Sequence, residues 1–175
     1  LPQDSPLRKA VVISNPLGED FSIMRTISLN GMLTSLSTNF NRRNKNVRLY
    51  ELGNIYLPKQ VPVTELPEER MQFILGMYGE GDFFTMKGVI EEFLYKAGMK
   101  LKPEYDPEAG KPFLHPGRQA NVVYDGTVIG YLGEVHPTVA ANYAIKERVY
   151  VAVLDMPEIV SHASFDHKYE GIAKF

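Results

Sequence analysis

The sequence predicts an α+β domain in which an antiparallel β-sheet is flanked by helices. Three observations predict it. Two apolar runs, Ala120–Tyr124 and Thr127–Val135, flank Asp125-Gly126, a strong hairpin signal. Met86, Val89, Ile90, Phe93, Leu94 and Ala97 form one stripe at helical spacing. Across the chain, about six or seven strand-like runs follow one another, mostly in antiparallel succession, with two substantial helices between them.

In chain order, residues 1–9 are polar with two prolines and read as an irregular lead-in. Ala10–Ser14 is a short strand candidate, and Asn15-Pro16-Leu17-Gly18 is a turn. Leu29, Met32, Leu33, Leu36 and Phe40 predict a helix over 29–42, capped by Ser28 or Asn30. Arg42 and Arg43 suit the negative pole of its dipole. Asn46–Leu57 reads as a strand in which Gly53 marks a bulge or a close backbone approach.

Pro58–Glu69 is a polar loop and Arg70–Tyr78 a largely apolar strand. Asp82 caps the helix that carries the 86–97 stripe, and Gly98 closes it. Gly88 inside that helix costs about 1 kcal/mol against Ala, which predicts a close approach of other backbone. Leu101–Tyr105 reads as an edge strand and precedes the hairpin. Pro137 opens a short helix, Val149–Leu154 is a central strand, and Pro157 opens a second short helix.

With 175 residues the chain can bury a real core. A net charge of −2 supplies no global attraction to nucleic acid or anionic membrane. No apolar run approaches the roughly 20 residues of a membrane span. The absence of cysteine removes disulfides, thiolate nucleophiles and Cys-based zinc sites, and is consistent with a reducing compartment. The chain reads as an internal segment of a longer protein, with a core over 10–165 and a polar connector over 166–175.

Little in the residues points to chemistry. His115 and His136 both precede proline, and Glu134 lies near them, but no metal-ligating spacing such as HExxH occurs. Those imidazoles read as turn-shaping groups bonded to local backbone. Arg48 and Glu51 are three apart on a strand and so fall on opposite faces. His115-Pro116-Gly117-Arg118 could hold an anion, or tie its guanidinium to a carbonyl or a neighbouring carboxylate. Gly79-Glu80-Gly81 lacks the third glycine and the lysine of a phosphate loop and reads as a turn. No serine stands in a nucleophile elbow, and no carboxylate pair is poised for acid–base work.

Four blocks carry a resemblance. NPLGEDFSIMRTISLNGMLTSLSTNFNRR, LYELGNIYL, DFFTMKGVIEEFL and FLHPGRQANVVYDGTVIGYLGEVHP occur in order within residues 11–154. They resemble successive blocks of the β subunit of bacterial phenylalanine–tRNA ligase. The family-motif positions are Asn15, Pro16, Arg25, Glu51, Gly53, Lys87, Gly88, His115, Pro116, Gly117, Arg118, Gly130, Gly133, Glu134, His136 and Pro137, all expected in structural roles. The tail KYEGIAKF is similar to the family's connector toward a tRNA-binding domain.

The resemblance implies a class II aminoacyl-tRNA synthetase catalytic-like fold that has lost catalysis. It implies a cytoplasmic enzyme of two α and two β subunits that joins phenylalanine to its tRNA with ATP and magnesium. This domain would hold neither cofactor nor metal and would have no catalytic residue. Its role would be to support assembly with the α subunit and a second αβ pair, with tRNA bound by the complete enzyme. The face bearing Met32, Leu33, Leu36 and Phe40 is then the expected subunit interface, unless that stripe packs only on its own sheet. A remnant site for an amino acid or nucleotide near Arg118 and Glu134 is the alternative function.

Overall fold

A computed structural model describes residues 1–164; the expected connector over 166–175 lies outside them. Six strands form one sheet: β1 (Val47–Leu57), β2 (Glu68–Tyr78), β3 (Glu104–Asp106), β4 (Leu114–Tyr124), β5 (Thr127–Val135) and β6 (Val149–Asp155). They lie in the order β1-β2-β6-β5-β4-β3, and every neighbouring pair is antiparallel. Four α-helices cover the sheet: α1 (Leu29–Asn41), α2 (Phe83–Lys96), α3 (Pro137–Asn142) and α4 (Met156–His162).

The helices divide between the two faces because each carries one apolar stripe that only a sheet face can cover. On one face, Met86, Ile90 and Leu94 of α2 and Ile159 of α4 pack with Phe73, Leu75, Ala152, Leu154, Leu132 and Val122. On the other, Met32, Leu33 and Leu36 of α1 and Ala140 of α3 pack with Ile74, Val151, Val153 and Val135.

Local chemistry sets the element ends where the sequence marks them. Asp82 and Thr85 form a reciprocal capping box at the start of α2. The Thr85 amide and hydroxyl both donate to the Asp82 carboxylate, which holds its pKa below the ordinary value. Asp125 and Gly126 have φ of 49° and 76°, so the hairpin turns with positive φ at both central residues, as a type I′ turn requires.

Four expectations need correction. Ala10–Ser14 is not a strand; Val12 and Ile23 form a single antiparallel bridge. Ser28 does not cap α1: it is buried and donates to Gln72 Oε1 on β2 at 2.7 Å, while Asn30 accepts from the Tyr143 hydroxyl. Gly53 marks no bulge, since β1 pairs with β2 without interruption from Val47↔Tyr78 to Leu57↔Glu68. Gly88 faces open space with nothing within 4 Å of a built Cβ, and the structure offers no account of it.

The α1 stripe also lies elsewhere than an interface requires. Met32, Leu33 and Leu36 are 2%, 1% and 0% exposed. Gly76 on β2 is what lets α1 come so close, because a Cβ there would lie 2.6 Å from Met32 Cγ. Phe40 is half-buried, edge-on to Tyr78 at 5.7 Å between ring centroids. Burial of this kind is worth about 1.5–3 kcal/mol for each large side chain, and it is spent within the chain. The stripe therefore holds the domain together and leaves Met32, Leu33 and Leu36 no surface for a partner.

Candidate functional site

The polar groups on the sheet are organised as three arginine–carboxylate clusters. In the first, Arg25 enters from the segment before α1. Its Nη1 lies 2.6 Å from Glu51 Oε1 and its Nε donates to Asn54 O at 2.7 Å. The Tyr56 amide donates back to Arg25 O at 2.9 Å. Gly53 is the slot for this guanidinium: a Cβ there would collide with Arg25 Nη2 and sit 2.7 Å from Glu51 Oε1. The close approach to Gly53 is thus made by a side chain. Glu51 takes Arg25 as its partner, while Arg48 reaches only Glu80 O at 3.4 Å.

The second cluster was not legible in the sequence. Arg70 Nη2 lies 2.5 Å from Asp155 Oδ2 and 3.4 Å from Glu158, and Arg70 Nη1 lies 3.6 Å from Glu68. The hydrogen bond to Asp155 raises the Arg70 pKa above its ordinary value, against the opposing effect of burial. Only strand pairing brings these groups together, through Gln72↔Asp155.

In the third, Arg118 Nη1 lies 3.0 Å from both carboxylate oxygens of Glu134, which is 3% exposed. Arg148 Nε stands 4.0 Å away. The His115–Arg118 segment is not a turn but an irregular part of β4, where the register shifts between Leu114 and Gln119, and its guanidinium sits on a carboxylate. His115 Nδ1 accepts from the Gly117 amide at 3.1 Å, and His136 Nδ1 accepts from the Thr138 amide at 3.2 Å, capping α3. Among the described residues no group of three His, Asp or Glu side chains could hold a metal ion.

The remaining motif residues are dispersed. Lys87 pairs with Glu91 at 2.8 Å and lies over the Tyr105 ring at 4.7 Å. Gly130 and Gly133 on β5 press against Leu154 and the Arg118 carbonyl, and Pro137 begins α3. Asn15 and Pro16 are exposed in the connection ahead of Ile23.

Two clefts open on the face that carries α1. One of about 610 Å³ lies between the lead-in, α1 and α3, with Leu7, Ile27, Leu33, Phe113 and Val139 among its walls. The other, of about 140 Å³, sits over the sheet between Gln72, Lys111, Asn121, Tyr131 and Asp155. Burial pushes the Tyr131 hydroxyl pKa up, and Lys111 Nζ lies 4.9 Å from the centre of its ring.

Comparison with known proteins now decides the family. Residues 1–156 match the model of the phenylalanyl-tRNA synthetase beta chain CLM domain. The chain belongs to this family. It is 43% identical over 175 residues to the phenylalanine–tRNA ligase beta subunit of Clostridium acetobutylicum and 41% identical to that of Clostridium tetani, covering all of this chain and 22% of each relative. The domain thus spans about a fifth of the length of these relatives. Its fold is similar to that of pyrrolysyl-tRNA synthetase from Desulfitobacterium hafniense, with a TM-score of 0.69 at 13% identity, over 91% of this chain and 55% of that one.

Proposed function

We propose that this is a non-catalytic, class II synthetase-like domain of a phenylalanine–tRNA ligase β subunit, and that it supports assembly with the α catalytic subunit in a cytoplasmic α2β2 enzyme. One observation carries the reading: Arg25, Arg70 and Arg118 are each tied to carboxylates of this same chain. A triphosphate must be gripped by cations that are free to meet its developing charge. Here each of these guanidiniums is already neutralised, and the sheet cleft is bordered by Asp155, whose charge is matched by Arg70 and leaves no net cation for a phosphate. Its 140 Å³ is also too small for a nucleoside triphosphate, the range of small-molecule sites being roughly 300–1,000 Å³. These residues do not fit ATP and magnesium, which belong to the chemistry of the parent enzyme.

The assembly surface is assigned to the outer side of β1 rather than to the stripe of α1. Tyr50 and Leu52 are 71% and 54% exposed, with Met71 beside them on β2. Because the Tyr56 amide and Asn54 carbonyl point outward to Arg25, alternation along the strand points the backbone groups of Arg48, Tyr50 and Leu52 outward as well. Among the described residues no backbone hydrogen bond reaches those three. The test is phenylalanine-dependent pyrophosphate exchange by the full-length β subunit, with and without α. Exchange is expected only with α, and exchange by β alone would overturn the reading.

The smaller cleft keeps a second reading alive, because Lys111, Gln72 and Asp155 converge there. A remnant amino-acid site predicts that phenylalanine raises the unfolding temperature of the β subunit. The location near Arg118 and Glu134 is closed by their ion pair.

A further inference from the structure

The end of the sheet where β1 and β6 begin and β2 finishes carries a charge distribution that nothing above explains. Val47, Tyr78 and Val149 lie side by side across three strands. The segments leading into them bring together Arg42, Arg43, Lys45 and Arg48 with Lys146 and Arg148, all exposed. Strands are spaced about 4.8 Å apart, so the two groups of cations stand about 10 Å from each other. Glu80, Asp82 and Glu147 accompany them, so six cations meet three carboxylates, three positive charges in excess on a chain whose net charge is −2.

Elsewhere on the sheet and on α2 the cations are matched to carboxylates, while Lys100 and Lys102 stand apart as exposed single lysines. Arg25, Arg70, Lys87, Lys96 and Arg118 each sit on a carboxylate. Among the described residues Arg42, Arg43, Lys45, Arg48 and Lys146 make no ion pair. The negative pole of α1 accounts for Arg42 and Arg43, but its influence fades within a turn and does not extend to Lys45, Arg48 or Lys146.

The loop that presents them is fixed. The Tyr78 hydroxyl donates to Asn44 O at 2.8 Å, the Glu80 amide donates to Asn46 Oδ1 at 2.9 Å, and the Arg43 amide donates to Phe40 O at 2.9 Å. Arg43 itself has φ of 63°, at the position after a helix where glycine is the favoured residue. An arginine there holds a left-handed conformation that its Cβ disfavours. Asn41, Asn44 and Asn46 are interleaved with the cations and add exposed amide groups of a kind that bonds phosphate oxygens.

We propose that this end of the domain, centred on Arg42, Arg43, Lys45 and Arg48, docks the phosphate backbone of RNA, namely the tRNA of the parent ligase. The proposal rests on the ligase reading given above. It assigns contacts to phosphates, which position an RNA without reading its sequence.

The test uses full-length β subunit with α, comparing unmutated complex with Arg42→Gln/Arg43→Gln/Lys45→Gln. The triple variant is expected to bind tRNA-Phe at least about tenfold more weakly, with the slope of log affinity against log salt shallower by about 2 to 3. Complex size and phenylalanine-dependent pyrophosphate exchange, neither of which needs tRNA, should not change. Lys100→Gln/Lys102→Gln, which removes exposed lysines outside this patch, should leave tRNA affinity as it was.

Unchanged tRNA affinity and salt slope in the triple variant would overturn the proposal. So would an equal loss in the Lys100/Lys102 control. A triple variant whose subunits part at moderate salt while tRNA affinity holds would overturn it in favour of an acidic protein partner. An unmutated complex that exchanges pyrophosphate but binds no tRNA would also sink it. An unmutated pair that neither assembles nor exchanges would instead remove the ligase reading beneath it.

Discussion

The two edges of the sheet are built differently. At one end β3 is three residues long, and its Tyr105 is covered by the Lys87 ammonium. At the other end β1 runs for 11 residues, all paired with β2 on one side. Among the described residues its outer side is closed only near Asn54 and Tyr56, where Arg25 crosses it. A short edge offers too few backbone groups to recruit another chain, whereas a long one with exposed Tyr50 and Leu52 is a template for pairing. The difference teaches that, among the described residues, this sheet has one short, covered edge and one long edge left largely open. It also explains why the apolar stripe of α1 is a poor guide to assembly: that stripe anchors the β1 side of the sheet from within.

The largest way to break this comparison is to attack the anchor. Leu36→Asp puts an unpaired charge at a site 0% exposed, and should cost more than about 4 kcal/mol, enough to unfold most domains. Soluble, assembled full-length β subunit carrying Leu36→Asp would show that α1 does not anchor the sheet. Gly53→Val comes next. It forces Arg25 out of its slot and off Glu51, at about 1–3 kcal/mol, measured by denaturant unfolding against the parent.

Leu52→Lys sharpens the contrast between folding and assembly. Stability should stay within about 0.5 kcal/mol because the side chain is exposed. Association with α should weaken by more than about 1 kcal/mol if this edge is an energetic centre of the interface. Equal association by sedimentation or titration would remove β1 from the interface. The smallest effect is expected at the short, covered edge, where Glu104→Lys should alter both stability and association by less than about 0.5 kcal/mol.

Legibility followed the range of the interactions. The capping box at Asp82, the stripe of α2 and the Asp125-Gly126 turn each involve residues within a few positions of one another, so periodicity and turn chemistry reveal them. Arg70 with Asp155 is separated by 85 positions and becomes visible only once β2 lies beside β6. Gly53 gave a signal whose meaning stayed open: the sequence marked a close approach, but not that Arg25 makes it. Ala10–Ser14 has strand composition yet forms one bridge, because only Ile23 offers it a partner. Met32 and Leu36 were legible as one apolar face, but not as facing inward or outward.

The sequence by itself determined which segments become helices and strands, where they turn, and, through four blocks in register, the family. Those properties reside in contiguous residues, whose backbone preferences and spacing act before any long-range contact exists. Tertiary structure alone decided which apolar face is consumed, which guanidiniums are neutralised, and which edge and which end of the sheet remain unbalanced. Each of these depends on residues far apart in the chain arriving at one place, and a charge or an apolar surface is free only when nothing from elsewhere in the fold has already satisfied it.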